Sequence, residues 1–148
     1  MSYEQRKNDA KKKKNKLQTK LNGNTFTALR HDVFNSTQYF NLSFTAKALL
    51  VDAMAMYNML NNGDLSFAYT IMKKRGWKSE TTISKAIKEL LAAQFLILTK
   101  QGGRHNRPNL YALSFFPINE CLAKNGISKI DIKPTHAPQD EWKLSSKN

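Results

Sequence analysis

Between Ser79 and Ala93 the apolar positions fall at Ile83, Ala86, Ile87, Leu90 and Leu91. That i, i+3, i+4, i+7, i+8 spacing is one stripe of an α-helix, with polar residues around the rest of the surface. Ser79 is placed to cap it, because its hydroxyl can accept from a free first-turn N–H, and Glu80 sits where the positive end of the macrodipole favours an acid. The preceding segment predicts a shorter helix, Phe67 to Arg75, capped by Ser66 and closed by Gly76, whose missing Cβ suits a left-handed C-terminus. Two helices joined by Gly76, Trp77 and Lys78 predict a helix-turn-helix.

Farther upstream, Ser43 is a natural N-cap for a helix from Phe44 to about Leu60, stopped by Asn61, Asn62 and Gly63. Leu49, Leu50, Val51, Met54, Met56, Tyr57 and Met59 spread around more than one of its faces, so it is expected at the centre of the fold. Its methionines read as fillers of irregular gaps, not as a cofactor box. An aromatic-rich lead-in of Phe26, Leu29, Val33, Phe34, Tyr39, Phe40 and Leu42, with Asp32 beginning a short helical turn, is expected to cover that helix. Downstream the period changes. Phe95–Lys100 and Asn109–Phe116 suit strands, and the Gly-bearing polar loop Gln101–Pro108 between them makes a hairpin. The expected class is mainly α with a small β-hairpin (α+β).

Charge adds what periodicity does not. The 148 residues carry 24 basic and 11 acidic groups, a net +13, and the excess is confined to two segments. Residues 1–20 hold eight basic against two acidic groups, a net +6, and residues 71–107 hold nine against two, a net +7. Everything else balances. Such a field is suited to a polyanion. The longest apolar stretches, such as Phe95 to Leu98, are far shorter than the roughly 20 residues that cross a bilayer, and no apolar segment follows the first lysines, so neither a membrane partner nor secretion is expected. A single cysteine, Cys121, allows no intramolecular disulfide and no multi-cysteine zinc site, which points to the cytoplasm and to a buried small hydrophobe.

Helix, helix, turn, helix and a two-stranded ribbon with a basic tip is an order that resembles the winged helix-turn-helix DNA-binding family from about Ser43 to Phe116. The residues that carry the likeness are Lys74-Arg75-Gly76-Trp77-Lys78-Ser79, the run Thr81 to Leu91 (TTISKAIKELL) and Phe95-Leu96-Ile97 leading into the hairpin. The chain is also similar to helix-turn-helix proteins encoded by phages, plasmids and integrated elements, including winged modules of replication initiators. It departs at Gln94, where many relatives carry Gly at the end of the third helix, at a cost in backbone strain. The winged domain with its lead-in is expected over residues 25–122; composition, with almost nothing apolar between Ser2 and Lys16, makes residues 1–24 a disordered basic arm, and residues 123–148 read as an extended C-terminal tail.

On a helical wheel Thr81, Lys85, Lys88 and Ala92 lie opposite the buried stripe. In a major groove about 12 Å wide, Lys85 can donate to guanine, Thr81 and Thr82 can meet a base edge or a thymine methyl, and Lys78 with Ser79 can hold a flanking phosphate. Lys88 lies farther along, at the backbone, and Lys74 and Arg75 flank the turn. Lys100, Arg104, His105 and Arg107 at the ribbon tip form a second contact to phosphates or a minor groove, and Lys11, Lys12, Lys13 and Lys14 in the arm add sequence-independent, salt-sensitive affinity. The bland alternative for each lysine is a solvated helix face. No Gly-rich phosphate loop, paired-carboxylate cluster or His/Cys metal spacing is visible, so no enzyme, no cofactor and no metal is expected.

In the tail, Trp142 either docks back on the domain or anchors a protein partner, and both readings stay open. The functional expectation is a cytoplasmic protein that binds double-stranded DNA with sequence preference, as a regulator or replication-associated factor of a mobile element. A homodimer, built through the lead-in or the tail, would multiply specificity. The rivals are a protein-interaction module on the same fold and an RNA binder.

Overall fold

A computed structural model describes residues 1–147. Among the described residues it is a mixed α+β structure with six α-helices and one two-stranded antiparallel ribbon. Helix α4 (Phe44–Met56) buries Ala46, Leu49, Leu50, Ala53 and Met54 and packs against α6 (Glu80–Ala92), which buries Ile83, Ala86 and Leu90. Both caps form as expected: the Ser43 hydroxyl accepts from Ala46 N–H, and that of Ser79 from Thr82 N–H. The two helices are also tied end to end, because Ser43 donates its N–H and its hydroxyl to the two Glu89 carboxylate oxygens, each at 2.6 Å.

Strands β1 (Leu96–Lys100) and β2 (Leu110–Leu113) pair Leu96 with Leu113, Ile97 with Ala112 and Leu98 with Tyr111. The register then slips at Thr99, whose buried hydroxyl donates to Gly63 C=O at 2.6 Å. Phe95 and Phe115, both fully buried, join the ribbon to the helical core. The lead-in folds into two single-turn helices, α2 (His31–Phe34) and α3 (Thr37–Phe40), whose Val33 enters the core beside Phe34 and Tyr39.

Several boundaries differ from the sequence expectation. Helix α4 stops at Met56, four residues before Leu60, because asparagine side chains capture the backbone: Asn61 Nδ2 donates to Met56 C=O, Asn58 N–H to Asn61 Oδ1 and Leu60 N–H to Asn58 Oδ1. Between them Met59 takes a left-handed φ of 73°. The segment expected to be helical from Phe67 starts only at α5 (Tyr69–Met72) and closes as a 3₁₀ turn, Lys73–Arg75. Leu65 is held extended by exchanging both backbone hydrogen bonds with Tyr111, so the chain cannot turn at Ser66. Gly76 has φ of 96°, and Gln94, the departure from glycine, has φ of 60°.

The ends depart further. The arm expected to be disordered is helix α1 (Tyr3–Lys20), started by a reciprocal capping box in which Ser2 N–H donates to Gln5 Oε1 and Gln5 N–H to Ser2 Oγ. Lys, Gln, Glu, Ala and Leu are strong helix formers, so the segment satisfies its backbone locally without any core. The C-terminal stretch expected to be an extended tail folds back. Ile118, Cys121 and Ile130 form a second apolar cluster with Ala112, and Asp131 N–H donates to Thr99 C=O. A closing 3₁₀ helix, Glu141–Lys147, carries Trp142 into the main core, stacked on Phe95 at 5.8 Å. Trp142 therefore docks on the domain.

Candidate nucleic-acid interface

The stripe that buries Ile83, Ala86 and Leu90 leaves Thr81, Ser84, Lys85, Lys88 and Ala92 exposed on the rest of α6. Glu89 is engaged by Ser43, so beyond its first turn the outer surface of this helix carries lysine, hydroxyl and methyl groups and no available carboxylate. Ser79 is exposed and extended, its hydroxyl occupied as the cap, while Thr82 is half-buried at the first turn.

The turn before α6 is held by one acid. Asp52, from the middle of α4, accepts from Arg75 Nε at 2.9 Å and from Trp77 Nε1 at 2.6 Å, one bond to each oxygen. These residues, with Thr45, Lys78 and Thr82, border an open hollow of about 470 Å³ at the start of α6. Arg75, a DNA-contact candidate flanking the turn, is exposed and uses its Nε in this brace. Lys74 and Lys78 are exposed on either side of it.

In the ribbon, His105 and Asn106 both have positive φ, 67° and 55°, within the three-residue turn 104–106. Gly103 and Arg107 bridge across that turn. Gly102 is required by close approach, since a Cβ there would collide with the Arg107 carbonyl oxygen. Arg104, His105 and Arg107 are all exposed, whereas Lys100 is paired with Asp131 at 2.8 Å. His105 is exposed at a positive-φ position of the tip, and Lys100 ties the ribbon to the folded-back C-terminal segment through Asp131. Lys11 to Lys14 are exposed on α1.

The strongest electrostatic cluster lies elsewhere. Arg30 bridges Asp32 and Asp140 (2.7 Å to Asp140 Oδ1) and also donates to Phe115 C=O at 2.8 Å. Hydrogen bonding from Arg30 holds the Asp32 carboxyl below its ordinary range, and Arg30 is itself raised by the bond to Asp32. At Asp140 burial pushes upward, but the bonds from Arg30 and Trp142 outweigh it and the net shift is down. This clamp seals the C-terminal segment onto the lead-in. Burial likewise pushes the Cys121 thiol up, in keeping with an inert core residue.

Compared with protein-family models, with curated proteins and with solved structures, the chain matches none. Among the described residues no group of three or more His, Cys, Asp or Glu side chains is placed to hold a metal ion, and no helix is long and apolar enough to cross a membrane. The structure thus brings Lys74, Lys78, Ser79, Thr81, Thr82, Lys85 and Lys88 into one continuous stretch, and Arg104 and Arg107 onto one corner. Sequence reasoning missed Asp52 and the Ser43–Glu89 tie. The available signal was a lone acid inside an apolar helix, which needs a partner.

Proposed function

We propose that the chain is a sequence-preferring binder of double-stranded DNA that works without chemistry: a winged helix-turn-helix protein with α6 in the major groove and the Arg104–Arg107 corner on backbone or minor groove. The observation that carries the reading is the outer surface of α6, where Thr81, Lys85 and Lys88 are exposed and Asp52 and Glu89 are each paired within the fold, which leaves Glu80, in the first turn, as the exposed acid of this helix. A helix with lysine and hydroxyl groups outward, and a braced turn at its N-terminus, presents donors to guanine and to phosphate. A role as regulator or replication-associated factor of a phage- or plasmid-like element is proposed on the resemblance alone.

A protein-interaction module is favoured by one observation: α4 leaves Phe44 87% and Val51 54% exposed on its outer side, beside exposed Ala48 and Ala55. Mobility shifts on random duplex at 50 and 200 mM salt separate the readings. A protein that neutralises six phosphates loses about 10³ in affinity over that range. Binding absent or insensitive to salt favours the protein module, and equal competition by duplex RNA overturns the groove reading, because the A-form major groove excludes a helix.

A further inference from the structure

We infer that α1 is a second DNA-reading helix, seated in a major groove with Asn8 and Asn15 at the base edges and a row of three lysines at each phosphate wall. The inference rests on the duplex-binding reading above. Every described side chain of α1 is exposed, so nothing in the fold uses this helix. Its local capping box nevertheless gives it a defined register.

At about 100° per residue, Asn8 and Asn15 share one line of the helix surface. Lys11, Lys7 and Lys14 lie about 50°, 90° and 110° to one side of it, and Lys12, Lys16 and Lys20 about 50°, 90° and 130° to the other, where Asp9, at about 110°, is the one acid among them. The back of the helix carries Lys13, Arg6, Leu17 and Ala10, in that order around it. A helix lying along a single phosphate backbone would neutralise one lysine row and leave the other in water. A groove has phosphates on both walls and base edges between them, which matches the order lysine, asparagine, lysine. An anionic lipid surface fits poorly, because α1 has no apolar face to insert. Glu4, one turn before Asn8, can meet only a cytosine amino group there.

Like-charge pairs at i, i+4 (Lys7–Lys11, Lys12–Lys16, Lys16–Lys20) oppose the free helix, and phosphate contact relieves them. After α1 the chain turns, with Asn22 and Gly23 at positive φ and Asn24 N–H donating to Leu21 C=O, and is next held at Thr27, whose hydroxyl donates to Met54 C=O.

Asn8 and Asn15 are about 10 Å apart along the axis, roughly three base-pair steps. Asparagine pairs in bidentate fashion with adenine. Random-site selection with the full chain should therefore return two A·T preferences about three base pairs apart, outside the α6 site. N8A/N15A should erase both and weaken the selected site about 5- to 100-fold, with less than a twofold change on random duplex and an unchanged circular-dichroism melt. Replacing either lysine row by glutamine should flatten the log–log salt slope by about 2.7. An unchanged motif in N8A/N15A, or a slope that responds to one row only, overturns the inference while leaving α6 as the reader. Failure of the full chain to bind any duplex overturns the DNA reading itself.

Discussion

Asp52→Ala removes the carboxylate that both Arg75 and Trp77 use to tie the turn to α4. The side chains of Asp52 and Arg75 are 21% and 34% exposed, so their ion pair alone is worth no more than about 1 kcal/mol after solvent screening. The Trp77 indole bond at 2.6 Å is charge-assisted and partly buried, worth about 1.5–3 kcal/mol. Together they predict a loss of about 2–3 kcal/mol, a fall in Tm of about 5–10 °C for a chain of this size. Asp52→Asn keeps an amide oxygen for the indole and should cost less than half as much. Thermal unfolding followed by circular dichroism reads both variants. On DNA the two consequences have opposite signs: losing an acid makes the surface more positive and tightens binding to random duplex, whereas a loosened turn lowers the preference of α6 for its site. Equal losses in the two variants, or unchanged site preference in Asp52→Ala, would show that the brace does not position the turn.

Lys85→Ala should weaken the preferred site by about 1–3 kcal/mol and random duplex much less; equal losses in a titration of both would make Lys85 a phosphate contact only. Trp142→Ala opens the core beside Phe95 and should cost about 3 kcal/mol, with new protease cleavage between residues 123 and 147; a wild-type melt would show that the C-terminal segment contributes nothing. The carboxyls of Asp32 and Asp140 are held below their unfolded value, so the stability they add is present above the ordinary range near pH 4 and is lost as pH falls through their lower folded values. Acid unfolding of Asp140→Asn should accordingly show a shallower pH slope than wild type, and an equal slope refutes the clamp.

Local signals in the sequence were sufficient where the physics is local. The α6 stripe, the Ser43 and Ser79 caps and the left-handed Gly76 follow from spacing and backbone sterics, and each forms as expected. The failures arise where distant residues decide. Nothing near Ser66 indicates that Leu65 will pair with Tyr111 and delay α5. Asn62 was read as a helix stop, yet it is fully buried. Its Nδ2 donates to the Leu113, Phe116 and Pro117 carbonyls and its Oδ1 accepts from Leu113 N–H, which anchors the chain beyond β2. The C-terminal segment looked extended because its apolar residues lack period, but Ile130 joins Ile118 and Cys121 in the second cluster while Trp142 enters the main core, two separate sites on the domain. At α1 two local signals conflict: lysine density favours disorder and helix propensity opposes it. Of the candidate contacts, exposure was legible for Thr81, Lys85, Lys88, Arg104 and Arg107, while the internal partners of Arg75 and Lys100 come from elements 23 and 31 residues away.

The segregation of charge yields a last test. The net +13 resides in α1 and in residues 71–107, where like charges repel one another in the free protein. Salt shortens the Debye length to about 10 Å at 0.1 M, so added NaCl should raise the Tm of the free chain by relieving that repulsion. A duplex relieves it by direct neutralisation. At 100 times Kd, binding to the folded state adds about 2.7 kcal/mol, a rise of about 5–10 °C. The two stabilisers must then compete: salt that stabilises the free protein releases the duplex, so the duplex-induced shift should shrink as the free Tm climbs. Differential scanning fluorimetry over 20–500 mM NaCl, with and without duplex, measures both curves. A duplex shift that is independent of salt, or a free Tm that falls with salt, contradicts the view that these two basic segments are an unsatisfied binding surface for a polyanion.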